Sequence, residues 1–122
     1  MLSPAWTALS SSAQAAYPWF KLEWKGPKAN NNGQIELSVR QLAVRMGVSR
    51  TTAAKAIHDL QAKGWLAVTR QGVLGSVGEG RSSAFEITEI ALPGDNARPR
   101  YLFRKWTPNH DFSVVKPRSN NP

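Results

Sequence analysis

Arg50, Thr51, Thr52, Lys55 and His58 lie close together in the chain and carry the side chains that recognise polyanions. An arginine presents a planar fork of donors that matches guanine O6 and N7 or a phosphate, whereas a lysine supplies a point charge. Thr51 adds a hydroxyl for a base edge and a methyl group for a thymine. Ser49 and Thr52, with Arg40 upstream, are suited to holding phosphates, and Arg70 and Arg81 flank a glycine-rich stretch. Such donors act together only when one rigid element presents them. At 100° per residue, Thr51, Lys55, His58, Asp59 and Ala62 share one side of a helix, with Arg50 and Thr52 at its amino-terminal end. Asp59 would repel phosphate, which limits contact to the first two turns. The plain alternative for Arg50 and Lys55 is a pair of solvated helix charges.

Other chemistry has no comparable set of residues. There are no cysteines, so disulfides and thiolate metal sites or nucleophiles are excluded. The two histidines, His58 and His110, belong to no metal-spaced cluster, and the acidic residues are scattered without an acid/base pair. Gly72, Gly75, Gly78 and Gly80 fit neither the dinucleotide nor the P-loop spacing, and no Lys-Ser/Thr follows. A mobile loop is the better reading of that run. No catalytic residue, metal ligand or cofactor is therefore expected, and the chain is not read as an enzyme.

The elements that must position the cationic cluster lie in residues 38–66, SVRQLAVRMGVSRTTAAKAIHDLQAKGWL. Ser38 with Gln41 forms a capping-box pattern. Val39, Leu42, Ala43 and Met46 then recur on one helical face. Gly47 suits the left-handed residue that ends a helix, and Val48 can plug the core between two helices. Ser49 caps a second helix whose apolar stripe is Ala53, Ile57 and Leu60, with Ala56 at its edge, and Gly64 ends it. The run Ala53, Ala54, Ala56 permits close approach of a neighbouring helix or of a sugar-phosphate rail. Two short amphipathic helices joined this way make a helix-turn-helix, whose second helix enters the major groove of DNA. Downstream, residues 65–70 and 84–88 are strand-like and enclose the glycine run, which completes a winged helix.

GVSRTTAAKAIHDLQAKGWL resembles the GntR- and MarR-type winged helix-turn-helix pattern. The likeness rests on Gly47-Val48-Ser49-Arg50, the small-residue run, Ile57, Leu60, Gly64 and the pair Trp65-Leu66, and it spans about residues 34–90. The aromatic-rich leader and the Asn-Asn-Gly loop look like those of small regulators carried by bacterial plasmids, phages and integrative elements. The resemblance implies that Arg50, Thr51, Thr52 and Lys55 face DNA and that Arg70 and Arg81 reach the flanking minor groove or phosphates. Unlike GntR proteins the chain has no following effector domain, and unlike MarR proteins it lacks long flanking dimerisation helices. Ligand sensing and dimerisation are accordingly not carried over from them.

The flanks are read from composition and period. Residues 1–9 form an arm that Trp6 and Leu9 can pin to the domain. Over residues 10–25, Ala13, Ala16, Tyr17, Phe20 and Trp24 recur at helical steps. Ser11 with Gln14 offers a capping box there. Pro18 either begins a helix near Tyr17 or kinks a longer one. Residues 26–33 are a turn-forming loop, and residues 34–37 a short half-buried strand. After a linker, Leu102, Phe103 and Trp106 either fold back on the domain or form a basic-aromatic segment for bases or a partner. Residues 115–122 are expected to be disordered.

The chain of 122 residues carries 16 Lys and Arg against 8 Asp and Glu, a net +8. Basic residues outnumber acids three to one in residues 1–33, seven to five in 34–92 and six to two in 93–122. A basic small protein is a candidate polyanion binder, because neutralised phosphates release counterions; a solvated basic surface kept for solubility is the other reading. No signal-like or membrane-length apolar run appears, which points to a cytoplasmic, nucleoid-associated location.

The expected fold is α+β, a winged helix-turn-helix with a three-helix core, a short β-strand and a two-stranded wing. Its bounds are residues 10–92, between the arm (1–9) and a basic extension (93–122). The expected function is sequence-specific binding of double-stranded DNA as a transcriptional regulator of a mobile element. One recognition helix covers few base pairs, so a homodimer on a two-fold site is expected, with no membrane and no small-molecule effector. The competing classes are a protein-interaction winged helix, a replication or recombination accessory protein, and a single-strand or RNA binder.

Overall fold

Ser10, not Ser11, caps the first long helix. In the computed structural model, which describes residues 3–74 and 81–119, the Ser10 hydroxyl accepts the Ala13 amide at 3.1 Å. The anticipated capping partner, Gln14, instead donates from its side chain to the Trp6 carbonyl at 3.0 Å. The arm before it is a short helix, α1 (Pro4–Thr7), capped by Ser3. Helix α2 (Ser11–Leu22) stops short of Lys25 and keeps Pro18 in its interior, on the exposed side. Its buried face consists of Ala13, Ala16, Tyr17 and Phe20, the three- and four-residue steps of an amphipathic helix.

The loop that follows, including a 3-10 turn at Pro27–Ala29, is built around three consecutive asparagines. Asn31 accepts the Lys25 amide and donates to the Glu23 carbonyl, which closes the end of α2. Asn30 accepts from Trp24 Nε1 and donates to the Ala91 carbonyl. Asn32 is 1% exposed. Its Oδ1 accepts the Ile87 amide at 2.7 Å, and its Nδ2 donates to the carbonyls of Ile87 (3.0 Å) and Ile90 (2.7 Å). One side-chain amide thus satisfies both polar groups of Ile87, as a neighbouring strand would.

Strand β1 (Ile35–Glu36) leads into α3 (Val39–Met46) and α4 (Arg50–Ala62). The Ser38–Gln41 capping box forms in both directions at 3.0 Å. Gly47 takes the left-handed conformation, φ 69°. Leu42 and Ala43 of α3 and Ala53, Ala56, Ile57 and Leu60 of α4 enter the core as read. Ala62 does not stay outward: it is buried, because residues near Phe112 cross the end of α4 and the Phe112 amide donates to its carbonyl. At Gly64, φ is +86° and a Cβ would lie 2.7–2.8 Å from Phe112 and from the backbone at Leu102 and Phe103.

Strands β2 (Leu66–Arg70), β3 (Val73–Leu74) and β4 (Ala84–Ile87) follow. The main sheet has the order β1-β4-β2, antiparallel throughout. The wing is therefore a β2–β4 hairpin prolonged by Val73, whose backbone pairs antiparallel with Arg81. The glycine run read as a mobile loop falls partly on residues 75–80, outside the described residues.

The described residues after 93 fold back. Leu102–Lys105 form a 3-10 helix that places Phe103 against Trp65, ring centroids 3.9 Å apart and planes 3° from parallel. Trp65 also meets Trp6 and Tyr17 edge-on, and its Nε1 donates to the Ala5 carbonyl. A single indole thereby joins both flanks to the centre. Buried Glu86 receives the Arg100 guanidinium on both oxygens. The expectation of disorder from residue 115 is corrected as far as residue 119. Val115 exchanges two hydrogen bonds with the Gln61 side chain, and strand β5 (Arg118–Ser119) runs parallel to β3; residues 120–122 lie outside the described residues.

Candidate nucleic-acid interface

The amino-terminal half of α4 presents an exposed face of the helix-turn-helix. Ser49 accepts the Thr52 amide at 3.1 Å and donates its hydroxyl to Thr52 Oγ1 at 3.0 Å. Both hydroxyls are thus engaged in starting the helix, and the free amides of its first turn face outward with a partial positive charge. Arg50, Thr51, Lys55 and His58 are all exposed on this helix, and Arg40 is exposed on α3. The small-residue run divides: Ala53 and Ala56 pack inward, while Ala54 is exposed. On the helical wheel Ala54 falls 40° from Arg50 and 40° from His58. It belongs to the outer face, and the 100° rotation that placed its neighbours would have found it.

Most acids are paired, and the excess of cations is left without acidic partners. Six of the seven acids among the described residues are ion-paired: Glu23 with Arg45, Glu36 with Arg70, Asp59 and Asp111 with Lys63, Glu86 with Arg100, and Glu89 with Lys21. Among the described residues, Arg40, Arg50 and Lys55 make no ion pair. Asp59, read as an outward charge that would stop DNA contact, plays another part. Its Oδ2 accepts the Ser10 amide at 2.7 Å and its Oδ1 lies 3.2 Å from Lys63 Nζ. The carboxylate docks the start of α2 onto α4 and is neutralised there. Asp111, next to the same lysine, is held below the usual carboxylate range by the Trp106 Nε1 hydrogen bond, with Lys63 and His58 adding to the effect.

The two wing arginines part company. Arg70 reaches across Ala84 to Glu36 at 2.5 Å and donates to the Ser82 carbonyl at 3.0 Å. Glu36 and Arg70 both pair with Ala84 in the sheet, so they stand on one face with a small residue between them. Its Nε is buried without a partner. Arg70 is thus occupied within the sheet, contrary to its expected reach toward flanking DNA. Arg81 is exposed. Lys116 and Arg118, which sequence reasoning did not single out, are brought beside the wing by β5; their positions depend on a long-range pairing that no local pattern announces.

Residues 29–73 match the model of the MarR family. The matched segment is similar to the MarR-type winged helix-turn-helix over the helix-turn-helix and the first wing strand. It takes in the asparagine loop, β1, α3, α4 and β2, and it ends at Val73, before Arg81 and the second wing strand. No curated protein matches the chain. No solved structure matches it either. MarR proteins are DNA-binding transcription regulators, and the MarR-type segment here holds each predicted contact residue of both helices, from Arg40 to His58. None of the described helices is long and apolar enough to cross a membrane.

Proposed function

We propose that this chain binds double-stranded DNA in a sequence-dependent way, with α4 in the major groove and the wing on flanking DNA. The observation that carries the reading is the exposed basic and small-residue face at the start of α4, inside the segment that matches the MarR family. There Arg50 and Lys55 are exposed and make no ion pair among the described residues, beside Thr51 and small Ala54. Arg50 and Lys55 supply donors to guanine edges or phosphates, Thr51 and Ala54 make close base contacts, and Arg40, Ser49 and Thr52 sit toward the backbone. His58, one turn further, reaches a phosphate. Two copies on a two-fold site would give useful specificity. The leader and loop likeness described above favours regulation of a mobile element.

Fluorescence anisotropy with a pool of random duplexes, followed by selection of the bound fraction, tests the reading. Enrichment of one motif, with affinity falling steeply as salt rises, is the expected result. Absence of any duplex affinity at low salt would overturn it and favour a protein-interaction module, for which Leu22 and Val44 are exposed apolar side chains.

A further inference from the structure

The carboxy-terminal strand changes what the wing can hold. Val73 pairs with Arg81 on one side and with Arg118 on the other. The Arg81 pairing is close, with Val73 and Arg81 exchanging both backbone hydrogen bonds at 2.8 Å. On the opposite edge the Arg118 amide donates to the Gly72 carbonyl, also at 2.8 Å. Directly paired residues in a sheet project from the same face. Arg81, Val73 and Arg118 therefore form one cross-strand row, with an arginine at each end and a small apolar residue between. Two strand spacings separate the arginine backbones, roughly 10 Å.

The row is fixed by more than its own pairing. The Gln71 side chain donates to the Lys116 carbonyl at 2.9 Å, and Gln61 of α4 holds Val115 through both its amide and its carbonyl. Arg81, Lys116 and Arg118 are exposed and make no ion pair among the described residues. Two guanidinium groups held apart on a rigid ribbon suit two phosphate groups of a duplex, each taking a charge-assisted fork of hydrogen bonds.

We infer that Arg81 and Arg118 form a two-point phosphate clamp, so that the folded-back tail supplies half of the wing's grip on DNA. The inference rests on the duplex-binding function proposed above and adds a second, sequence-independent contact to it. Its test is the salt dependence of binding to a short random-sequence duplex. Each phosphate contact contributes about 0.9 to the slope of log K against log salt. Arg81→Ala and Arg118→Ala should each flatten the slope by about 0.9, and the double variant by about twice that. Arg118→Lys should keep the wild-type slope.

Hydrogen exchange at the Arg118 amide reports whether the tail stays docked in each variant. If Arg118→Ala undocks the tail, Arg118→Lys and Arg118→Gln, with the strand in place, decide the matter: lysine must hold the slope and glutamine must lose it. A wild-type slope in docked Arg118→Ala or Arg118→Gln, with Arg81→Ala flattened, overturns the clamp and leaves duplex binding standing. A wild-type protein without salt-dependent duplex affinity overturns both.

Discussion

Trp65 and Phe103 lie face to face, 3.9 Å between ring centroids, and this stack closes the aromatic cluster begun by Trp6 and Tyr17. Phe103→Ala removes the outer plate of the stack and leaves a cavity beside the start of β2. The expected cost is about 3–5 kcal/mol in urea unfolding followed by tryptophan fluorescence. A loss below about 1 kcal/mol would mean that the folded-back segment contributes little to the core.

Asn32 takes the part of a strand residue with its side chain. Asn32→Ala leaves the Ile87 amide and the Ile87 and Ile90 carbonyls to find other partners in a buried site. A loss of about 2–3 kcal/mol is expected, measured by denaturation. Asn32→Asp should cost more near neutral pH, since a carboxylate would confront two carbonyls. Equal stability of the Asp and Asn forms at neutral pH would contradict this account.

Glu89 supplies an acid-sensitive contact. Burial alone would raise its pKa, but hydrogen bonds from Lys21 and Tyr17 outweigh burial and hold it below its ordinary value near 4.5. The Tyr17 hydroxyl, which donates to Glu89 at 2.7 Å, is pushed up by its own burial and stays protonated. A carboxyl whose folded pKa is depressed stabilises the fold above its unfolded pKa and loses that contribution as pH falls through the folded value. Thermal unfolding between pH 6 and pH 3 should therefore show wild type losing more stability than Glu89→Gln. The difference should be about 1 kcal/mol, the group being partly exposed. Parallel acid profiles would remove Glu89 from the account.

Ala54 lies within the proposed surface, between Arg50 and His58 on the exposed face of α4. Ala54→Glu should leave the melting temperature nearly unchanged, an exposed substitution being worth about 0.5 kcal/mol or less. It should also weaken duplex binding at least about tenfold, by setting a carboxylate between Arg50 and His58 against phosphate. Unchanged affinity in an electrophoretic shift would move the contact face off α4.

What could be read beforehand divides by distance along the chain. The Ser38 capping box, the Gly47 turn, the Ser49 cap and the α4 stripe depend on partners within one or two turns, so residue order alone specifies them. The winged helix followed from those pieces. Asp59, Arg70, Ala62 and the tail went another way because their partners are remote: Ser10 for the first, Glu36 for the second, Phe112 for the third, Gly72 and Gln61 for the last. Each of the first three looks outward on its own element, and only tertiary packing turns it inward. Ser10 against Ser11 is a subtler case. Both can cap, and the docking of the Ser10 amide on Asp59 favours the earlier start.

The tail that holds Val115 to Gln61 of α4 and Arg118 to the edge of β3 also ties α4 to the wing. Hinge-like freedom between α4 and the wing is correspondingly reduced. Bound to a duplex as proposed above, such a body would have a fixed phasing between the groove facing α4 and the backbone facing the wing. Adjustment to an imperfect site then falls to the DNA, which must bend or twist, and stiff flanking sequence becomes a penalty even where no base is touched.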